Sequence, residues 1–422
     1  MHRLLALLVL AGCGSTASDP APAAPSPEPV EAAATDRPAV AARSVAELLP
    51  ELDVQIQHHA GLGEANAATD WLHRKMAAEL LMVRAKLSGT WDEYARAEEL
   101  LAQGFAVAKA GTGPHLSRAS LHLTLHRLSD AEADLAAVEG RAVVDEGTRG
   151  ALAIRRAQLA ILTGDLDGAG RQIEVARAIK AGSADLTTEG LLRLARGDLN
   201  GAEDRFRLAE GRIPPQDQIT RAWLDLQAGL LDLERQRWAD ALVHYDDALA
   251  HLPGWYLAQE HRAEALAELG RAAEAVPIYR DVVARTESPE LIGALAALVP
   301  EPERAELLAR ATAGWESRLA LFPAAAGGHA IDHFVGVGAL DRAEELARAN
   351  HAIRPDAEGA GALATVLNAR RQHAEALAVA TAAWSRGYRR ADLLEAAAEA
   401  ATAVGDPSAA EFTAALATLR GT

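Results

Sequence analysis

Histidine is the residue type whose spacing in this sequence first suggests chemistry. His115, His122 and His126 stand at i, i+7 and i+11, which places them on one face of a helix. His122 and His126 are one helical turn apart, a spacing at which two imidazoles could share one metal ion. A polar, solvent-facing stripe explains the same pattern without a ligand. Both interpretations of this group stay open at this point.

A second histidine group surrounds a carboxylate. His329 and His333 are again four residues apart, and Asp332 adds a third potential ligand. On a regular helix, however, Asp332 lies about 100° around the axis from His333. A helix cap or a hydrogen bond between repeats therefore explains this group better than a metal ion does. The sequence predicts no metal centre and no cofactor.

Other signatures of catalysis are missing from the sequence. It contains no GxxxxGK[ST] phosphate loop, no GxSxG nucleophile turn and no HExxH zinc motif. Its single cysteine, Cys13, excludes a zinc site built from several thiolates. The net charge of −17 repels phosphate backbones, which require clustered Lys and Arg. We therefore predict a protein that is not an enzyme and does not bind nucleic acid.

An internal repeat in the sequence indicates which secondary-structure elements must position any site. Small residues recur from position 97 to position 410 in nine steps that average just under 35 residues. A period of about 34 residues is typical of helix–turn–helix solenoids, whose units bury their apolar faces by stacking. The second member of the series can also be read as Ala131. The series is Ala97, Ala133, Ala169, Ala202, Ala241, Ala275, Ala305, Ala343, Ala376 and Ala410.

The composition of single units resembles the tetratricopeptide repeat. Glycines such as Gly164 and Gly197 stand a few residues before the small residue, where one helix ends and the next begins. The first unit carries an insertion, residues 88–94, before its second helix. The best unit spans 222–255 and contains Gly229, Ala241, Tyr245, Ala248 and Pro253. The resemblance implies an all-α fold, a right-handed α-solenoid of about ten antiparallel helix pairs over residues 43–422.

The N-terminus resembles a bacterial lipoprotein signal. A positive charge at Arg3 precedes a short apolar run, residues 4–10, and the stretch Leu-Ala-Gly-Cys ends at Cys13. This apolar run is too short to span a bilayer, which takes about 20 residues. The resemblance implies that residues 1–12 are removed and that Cys13 is lipidated. Because Gly14 is not the aspartate that retains such proteins in the inner membrane, we expect an outer-membrane protein of the cell envelope that faces the periplasm.

A tether follows the lipidation site. Residues 13–42 are rich in Pro and Ala, a composition that favours extended geometry and cannot bury a core. Ser44 with Glu47 three residues later has the spacing of a capping box, so the first helix should begin there. The domains predicted are thus a signal peptide, 1–12, a tether, 13–42, and a solenoid, 43–422.

The resemblance also implies a partner-binding groove. Tetratricopeptide units present certain positions of their first helix on the concave face. In two successive units these positions hold an apolar patch and an acidic ladder. Like charges one turn apart repel by a few tenths of a kcal/mol, so the ladder is mildly costly without a partner, although a solvated face remains the alternative. The groove residues are Trp223, Leu226, Leu230, Glu234, Glu260, Glu264 and Glu268.

Together these features predict a lipid-anchored scaffold that binds a protein or peptide partner. The acidic ladder and the apolar patch favour a partner that is basic and partly apolar. The alternative is a cell-envelope lipoprotein that binds a glycan or another solute. Sugar sites favour exposed aromatic side chains, and the chain has only 7 Trp and 5 Tyr. The peptide hypothesis is therefore preferred on sequence grounds.

Overall fold

A computed structural model of the protein describes residues 42–421, and within that range the chain is entirely helical, without a β-strand. The predicted all-α solenoid is therefore confirmed. Its helices are α1 Val45–Ala65, α2 Leu72–Ser88, α3 Asp92–Val107, α4 His115–Thr124, α5 Leu128–Glu139, α6 Glu146–Thr163, α7 Leu166–Ile179, α8 Ser183–Ala195, α9 Leu199–Glu210, α10 Gln218–Glu234, α11 Trp238–His251, α12 Tyr256–Glu268, α13 Ala272–Thr286, α14 Pro289–Leu298, α15 Glu303–Leu321, α16 Pro323–Gly336, α17 Leu340–Ile353, α18 Ala357–Ala369, α19 His373–Ser385, α20 Ala391–Val404 and α21 Ser408–Arg420.

The helices form a repeating two-layer array. Helix α1 packs on α2, and the helices from α2 to α21 then make ten successive pairs, each joined by a short turn. Even-numbered helices also contact the next even-numbered helix, as α2 does with α4 and α18 with α20. The even-numbered helices are therefore the inner layer of the superhelix, and the odd-numbered helices are its outer layer.

The first helix begins where the sequence indicates. The Ser44 hydroxyl accepts a hydrogen bond from the Glu47 backbone N–H at 3.3 Å, and the Glu47 carboxylate accepts one from the Ser44 N–H at 2.7 Å. This is the predicted capping box. The signal peptide 1–12, Cys13 and all but the last residue of the tether lie outside the described residues. Among residues 42–421, no helix is both long and apolar enough to cross a membrane.

Small residues occupy the places where helices of a pair meet. Seven of the ten alanines of the repeat have no solvent exposure at all: Ala97, Ala169, Ala202, Ala241, Ala275, Ala343 and Ala376. In the unit 222–255, a Cβ atom at Gly229 would stand 2.3 Å from Cε1 of Tyr245, so only glycine fits beside that ring. The turn glycines Gly164 and Gly197 adopt φ of 94° and 75°, as expected at helix ends.

Three members of the alanine series do not hold the predicted place. Ala133 is exposed, whereas Ala131 is fully buried, so the second repeat uses the alternative register. Ala305 and Ala410 are exposed as well. In those two units the buried positions of the same helices are filled by larger side chains, Leu307 and Phe412. Spacing alone could not separate these cases, because alanine is common on both faces of the helices.

The corrected register can be tested with a matched pair of substitutions. Ala241→Leu should destabilise the protein by about 1–3 kcal/mol, because a larger side chain has no room between α10 and α11. Ala133→Leu, on the exposed side of α5, should change stability by less than about 0.5 kcal/mol. Chemical denaturation followed by circular dichroism measures both changes. Similar small losses at the two positions would contradict the assignment.

The superhelix closes on itself. The Tyr388 hydroxyl donates to the Ile161 carbonyl at 2.5 Å, and the Trp255 indole N–H donates to the Lys86 carbonyl at 3.1 Å. These hydrogen bonds join repeats that are 227 and 169 residues apart in the sequence. Small side chains allow such close approach, as in α20, whose buried face is mostly alanine. Opposite repeats therefore meet across the superhelix axis, and the inner face is not an open groove along its length.

Candidate ligand-binding site

A charged cavity lies on the inner face, between the N-terminal and the C-terminal repeats. Its volume is about 90 Å³, room for several water molecules or a small ligand. Four successive inner helices each contribute one titratable side chain to its wall. These are Glu260 from α12, Glu290 from α14, His329 from α16 and Glu358 from α18.

Aromatic side chains form much of the remaining wall. Trp91, Tyr94 and Tyr256 line the cavity, and the Trp91 ring packs edge-on against Phe322. Trp91 and Tyr94 come from the segment that the sequence analysis assigned to an insertion. That assignment was wrong: α2 ends at Ser88 and α3 begins at Asp92, so a turn of three residues joins them. The segment matters because its rings reach the cavity.

Arg354 closes one side of the cavity through a network of ion pairs. Its guanidinium lies 3.0 Å from the Asp356 carboxylate and 2.9 Å from that of Glu358. It also lies 3.1 Å from Nδ1 of His126, a residue that the left-handed turn after α4 directs inward. Burial and the Arg354 charge hold the pKa of His126 well below its ordinary value. His126 is therefore neutral, and Arg354 has its carboxylate partners.

Glu290 and His329 form a second pair at the wall. Nδ1 of His329 lies 3.2 Å from the Glu290 carboxylate. Burial alone would lower the pKa of His329, but the Glu290 charge and hydrogen bond raise it above its ordinary value. Burial alone would raise the pKa of Glu290, and the charge of His329 with the hydrogen bond it makes lowers it. The two groups thus stabilise one another as an ion pair.

Glu260 differs from these groups because it has no partner. It is only 4% exposed, yet no hydrogen bond or ion pair to its carboxylate exists within residues 42–421. Burial raises the pKa of Glu260 to about 8; the charge of His261 opposes this rise, and the negative charges of Glu290 and Glu264 add to it. An isolated buried carboxylate is costly, and a cation in the cavity would compensate it.

Arg318 is the positively charged residue of the cavity wall that, like Glu260, forms no ion pair. Its guanidinium lies 4.8 Å from the centre of the Trp91 ring and donates to the Ser288 hydroxyl at 3.3 Å. No carboxylate of the described chain lies within ion-pair distance of it. Burial lowers the pKa of Arg318 from its ordinary value. The cavity wall therefore carries one carboxyl group, Glu260, and one guanidinium, Arg318, that form no ion pair with a described residue.

The predicted apolar part of the groove lies in the core. Trp223, Leu226 and Leu230 are 2%, 1% and 2% exposed, and the Trp223 ring packs edge-on against Phe206 at 6.3 Å. The expectation that these side chains face an open groove therefore needs correction. They belong to the main hydrophobic cluster, which extends to the C-terminal repeats. The contact between Trp223 and Phe206 of the preceding repeat contributes to this burial.

The four predicted acidic residues have four different environments. Glu234 is buried and accepts hydrogen bonds from Arg390, which lies five repeats away. Glu264 is buried beside His261, whose Nδ1 lies 3.0 Å from its carboxylate. Glu268 is partly exposed near the end of α12, and Glu260 lines the cavity. Of the predicted groove residues, Glu260 is the one that the structure places at the cavity wall.

His115, His122 and His126, the first histidine group, do not share one site. Nδ1 of His115 and Nδ1 of His122 lie 2.8 Å and 3.1 Å from the carboxylate of Asp134, which Arg118 also contacts. Burial alone would raise the pKa of Asp134, but hydrogen bonds from these groups hold it well below its ordinary value. His126 points to Arg354 instead. This group is an internal hydrogen-bond network of the second repeat.

The two histidines of the second group, His329 and His333, also have different partners. His329 pairs with Glu290, whereas Nε2 of His333 lies 2.8 Å from the Thr312 hydroxyl. The predicted hydrogen bonds between repeats are therefore present. Across residues 42–421, no cluster of three or more His, Cys, Asp or Glu side chains has the arrangement of a metal site.

Comparisons with known proteins add little to this description. No protein-family model and no curated protein matches the chain. Among solved structures, yeast Tom70 is 12% identical over 88% of this chain and 90% of its own, with a TM-score of 0.43. The apo form of RapI is 12% identical over 73% and 96%, with a TM-score of 0.42. A tetratricopeptide repeat protein from Parabacteroides merdae is 18% identical over 57% and 99%, with a TM-score of 0.30.

These values are too low to carry an argument about function. The fold is a tetratricopeptide-like α-solenoid, as the paired helices, the buried alanines and the left-handed glycine turns of the chain itself show. Solenoids of this kind commonly act as scaffolds for binding.

Proposed function

We propose that this protein is a non-enzymatic binding scaffold of the cell envelope, lipid-anchored at Cys13. Its ligand is the cationic end of a basic, partly apolar peptide segment, which enters the charged cavity. The observation that carries the proposal is the unpaired, buried carboxylate of Glu260. An ammonium or guanidinium group beside Glu260 would stabilise the ionised carboxylate and remove the cost of burying it alone.

The walls of the cavity suit such a ligand. Tyr94 and Tyr256 present aromatic rings that can attract a cation through their π-faces, and Leu257 adds apolar surface. The apolar part of a peptide would contribute burial, and the carboxylate would select the charge. This proposal keeps the predicted partner chemistry but moves the site from the side chains of α10 to Glu260 and the cavity.

A second candidate is the binding of a free solute, which the closed shape of the superhelix favours. Hydrogen bonds such as Tyr388 to Ile161 hold opposite repeats together, so a long segment cannot lie along the whole inner face. A ligand of the cavity must be short or must enter by one end. A small solute satisfies this condition as well as a peptide terminus does.

Calorimetric titration can test the cation site. The probe is N-acetyl-leucyl-lysine amide, and N-acetyl-leucyl-norleucine amide serves as the matched compound without a charge. We expect saturable binding of the lysine compound, at least about tenfold weaker for Glu260→Gln, since a buried charge pair typically contributes more than about 1.4 kcal/mol. Binding near pH 7 should release protons, because the cation lowers the raised pKa of Glu260.

The control for this titration is Glu64→Gln, on the exposed surface of α1. It should leave the affinity unchanged. Equal affinity of the wild-type protein and Glu260→Gln, or equal affinity of the two compounds, would reject the cavity as a cation site.

The anchoring proposal has its own test. Cys13→Ser should move the protein from the membrane fraction to the soluble fraction or leave it unprocessed, because the sulfur that carries the lipid is lost. Mass spectrometry of the wild-type protein should find a mature chain that starts at an acylated Cys13. A wild-type protein that keeps Met1 and stays in the cytosol would refute the anchor.

A further inference from the structure

Two groups that can carry opposite charges, and that form no ion pair, line the same cavity. Glu260 lies on α12 and Arg318 on α15, and neither forms an ion pair with a described residue. They do not neutralise one another either, since no ion pair joins them. The other charged groups of the wall do form ion pairs: Glu290 pairs with His329, and Arg354 pairs with both Asp356 and Glu358.

We infer that the ligand of this cavity is a small zwitterion of the α-amino-acid class, which bridges Glu260 and Arg318. Its ammonium group lies at Glu260 and its carboxylate at Arg318. This inference rests on the proposed function and specifies the chemistry at the second end of the ligand. It does not depend on whether the zwitterion is free or is the terminal residue of a short peptide.

The geometry of Arg318 fits a carboxylate. A guanidinium presents its donors in a planar fork that matches two carboxylate oxygens. The Arg318 side chain is partly buried, and the Ser288 hydroxyl and the Trp91 ring hold it in position. A carboxylate placed there would give the guanidinium an ion-pair partner.

The two cavity groups without an ion-pair partner can carry opposite charges, so a ligand with one charge of each sign can serve both. A pure cation would compensate Glu260 and leave Arg318 without a partner, and a pure anion would do the reverse. A zwitterion satisfies both groups at once, and its own two charges gain partners on leaving water.

Three related probes separate the two ends of the ligand. L-leucine carries both charges, L-leucine amide lacks the carboxylate, and N-acetyl-L-leucine lacks the ammonium group. Titration of the full-length protein should show saturable binding of L-leucine and at least about tenfold weaker binding of each derivative. Glycine, L-alanine and L-lysine extend the series to smaller and longer side chains.

Two variants test which residue binds the carboxylate of the ligand and which binds its ammonium group. Arg318→Gln should abolish the preference for L-leucine over L-leucine amide, and Glu260→Gln should abolish the preference for L-leucine over N-acetyl-L-leucine. Arg207→Gln, on the exposed surface of α9, should change neither preference. Thermal unfolding checks that each variant is folded, and Arg318→Lys replaces Arg318→Gln if the latter is not.

The outcomes distinguish this inference from the proposed function. If L-leucine amide binds as tightly as L-leucine, or if Arg318→Gln keeps the preference, the zwitterion is rejected while a cation site remains. If none of the amino acids binds but N-acetyl-leucyl-lysine amide does, the zwitterion is likewise rejected. If no probe of either series binds, both the inference and the proposed cation site fail.

Discussion

Replacing Glu234 by alanine is expected to destabilise the protein by about 3–5 kcal/mol, because it leaves the Arg390 guanidinium buried without its counter-ion. In the wild-type protein, Arg390 donates to Glu234 Oε1 from Nε at 2.9 Å and from a terminal nitrogen at 2.5 Å. The Ala391 N–H donates to the other carboxylate oxygen at 3.0 Å. This contact joins the fifth helix pair to the tenth.

Two measurements check this result. Chemical denaturation gives the loss of stability, and hydrogen exchange should show that α20 loses protection, because its link to α10 is broken. The double variant Glu234→Met with Arg390→Met should recover most of the loss, since apolar side chains of similar size need no counter-ion. Asp204→Ala, which breaks an exposed pair with Arg207, should cost less than about 1 kcal/mol. A comparable loss in both single variants would contradict a closing role for Glu234.

Glu260→Gln should make the ligand-free protein more stable than the wild type at high pH, and the difference should disappear at low pH. The pKa of Glu260 is about 8 in the folded protein and near 4.5 when unperturbed. Between these values the folded state binds more protons than the unfolded state, so wild-type stability falls as pH rises. Glutamine does not titrate, so the stability of Glu260→Gln lacks this dependence on pH. One pKa unit corresponds to about 1.4 kcal/mol, so the shift from 4.5 to about 8 corresponds to a gain on the order of 5 kcal/mol at pH 9.

The groups that face Glu260 are common to both proteins. They are His261 and Glu264 on α12, Glu290 on α14 and His329 on α16. Because the Glu260 charge helps to raise the pKa of His261, the substitution also lowers the pKa of His261, and the measured difference includes that effect. Denaturation midpoints measured from pH 5 to pH 9 provide the test. Glu64→Gln, at an exposed position, should follow the wild-type curve. Parallel curves for the wild type and Glu260→Gln would show that the carboxylate is not held in an environment that favours its protonated form.

The repeat architecture could be predicted because its signals are local. Gly229 and Tyr245 lie in one helix pair, and their contact depends only on the unit that contains them. The capping box of Ser44 and Glu47 is local in the same way. The predicted register was wrong at Ala133, because Ala131 fits the same spacing. Only the burial of Ala131 in the structure distinguishes the two positions.

The candidate site could be predicted only in part. Glu260 was found because it occupies a position that tetratricopeptide units turn inward, but the same rule also selected Trp223, which is core. Arg318, Glu290 and Glu358 carried no signal in the sequence. They lie at different positions of three helices from two repeats, so no common spacing links them to Glu260.

The sequence by itself determined the class of this protein: its helices, their pairing, the turns between them, and the absence of recognisable catalytic motifs. Each of these depends on residues that are close along the chain, where helix periodicity and glycine geometry act directly. Only the tertiary structure decided that the superhelix closes, that Trp223 and Glu234 are buried, and that Glu260 and Arg318 share a cavity. The physical reason is that small rotations between neighbouring repeats accumulate over ten helix pairs. The accumulated rotation brings Glu234 and Arg390 into contact, and the sequence of a single repeat does not specify that contact.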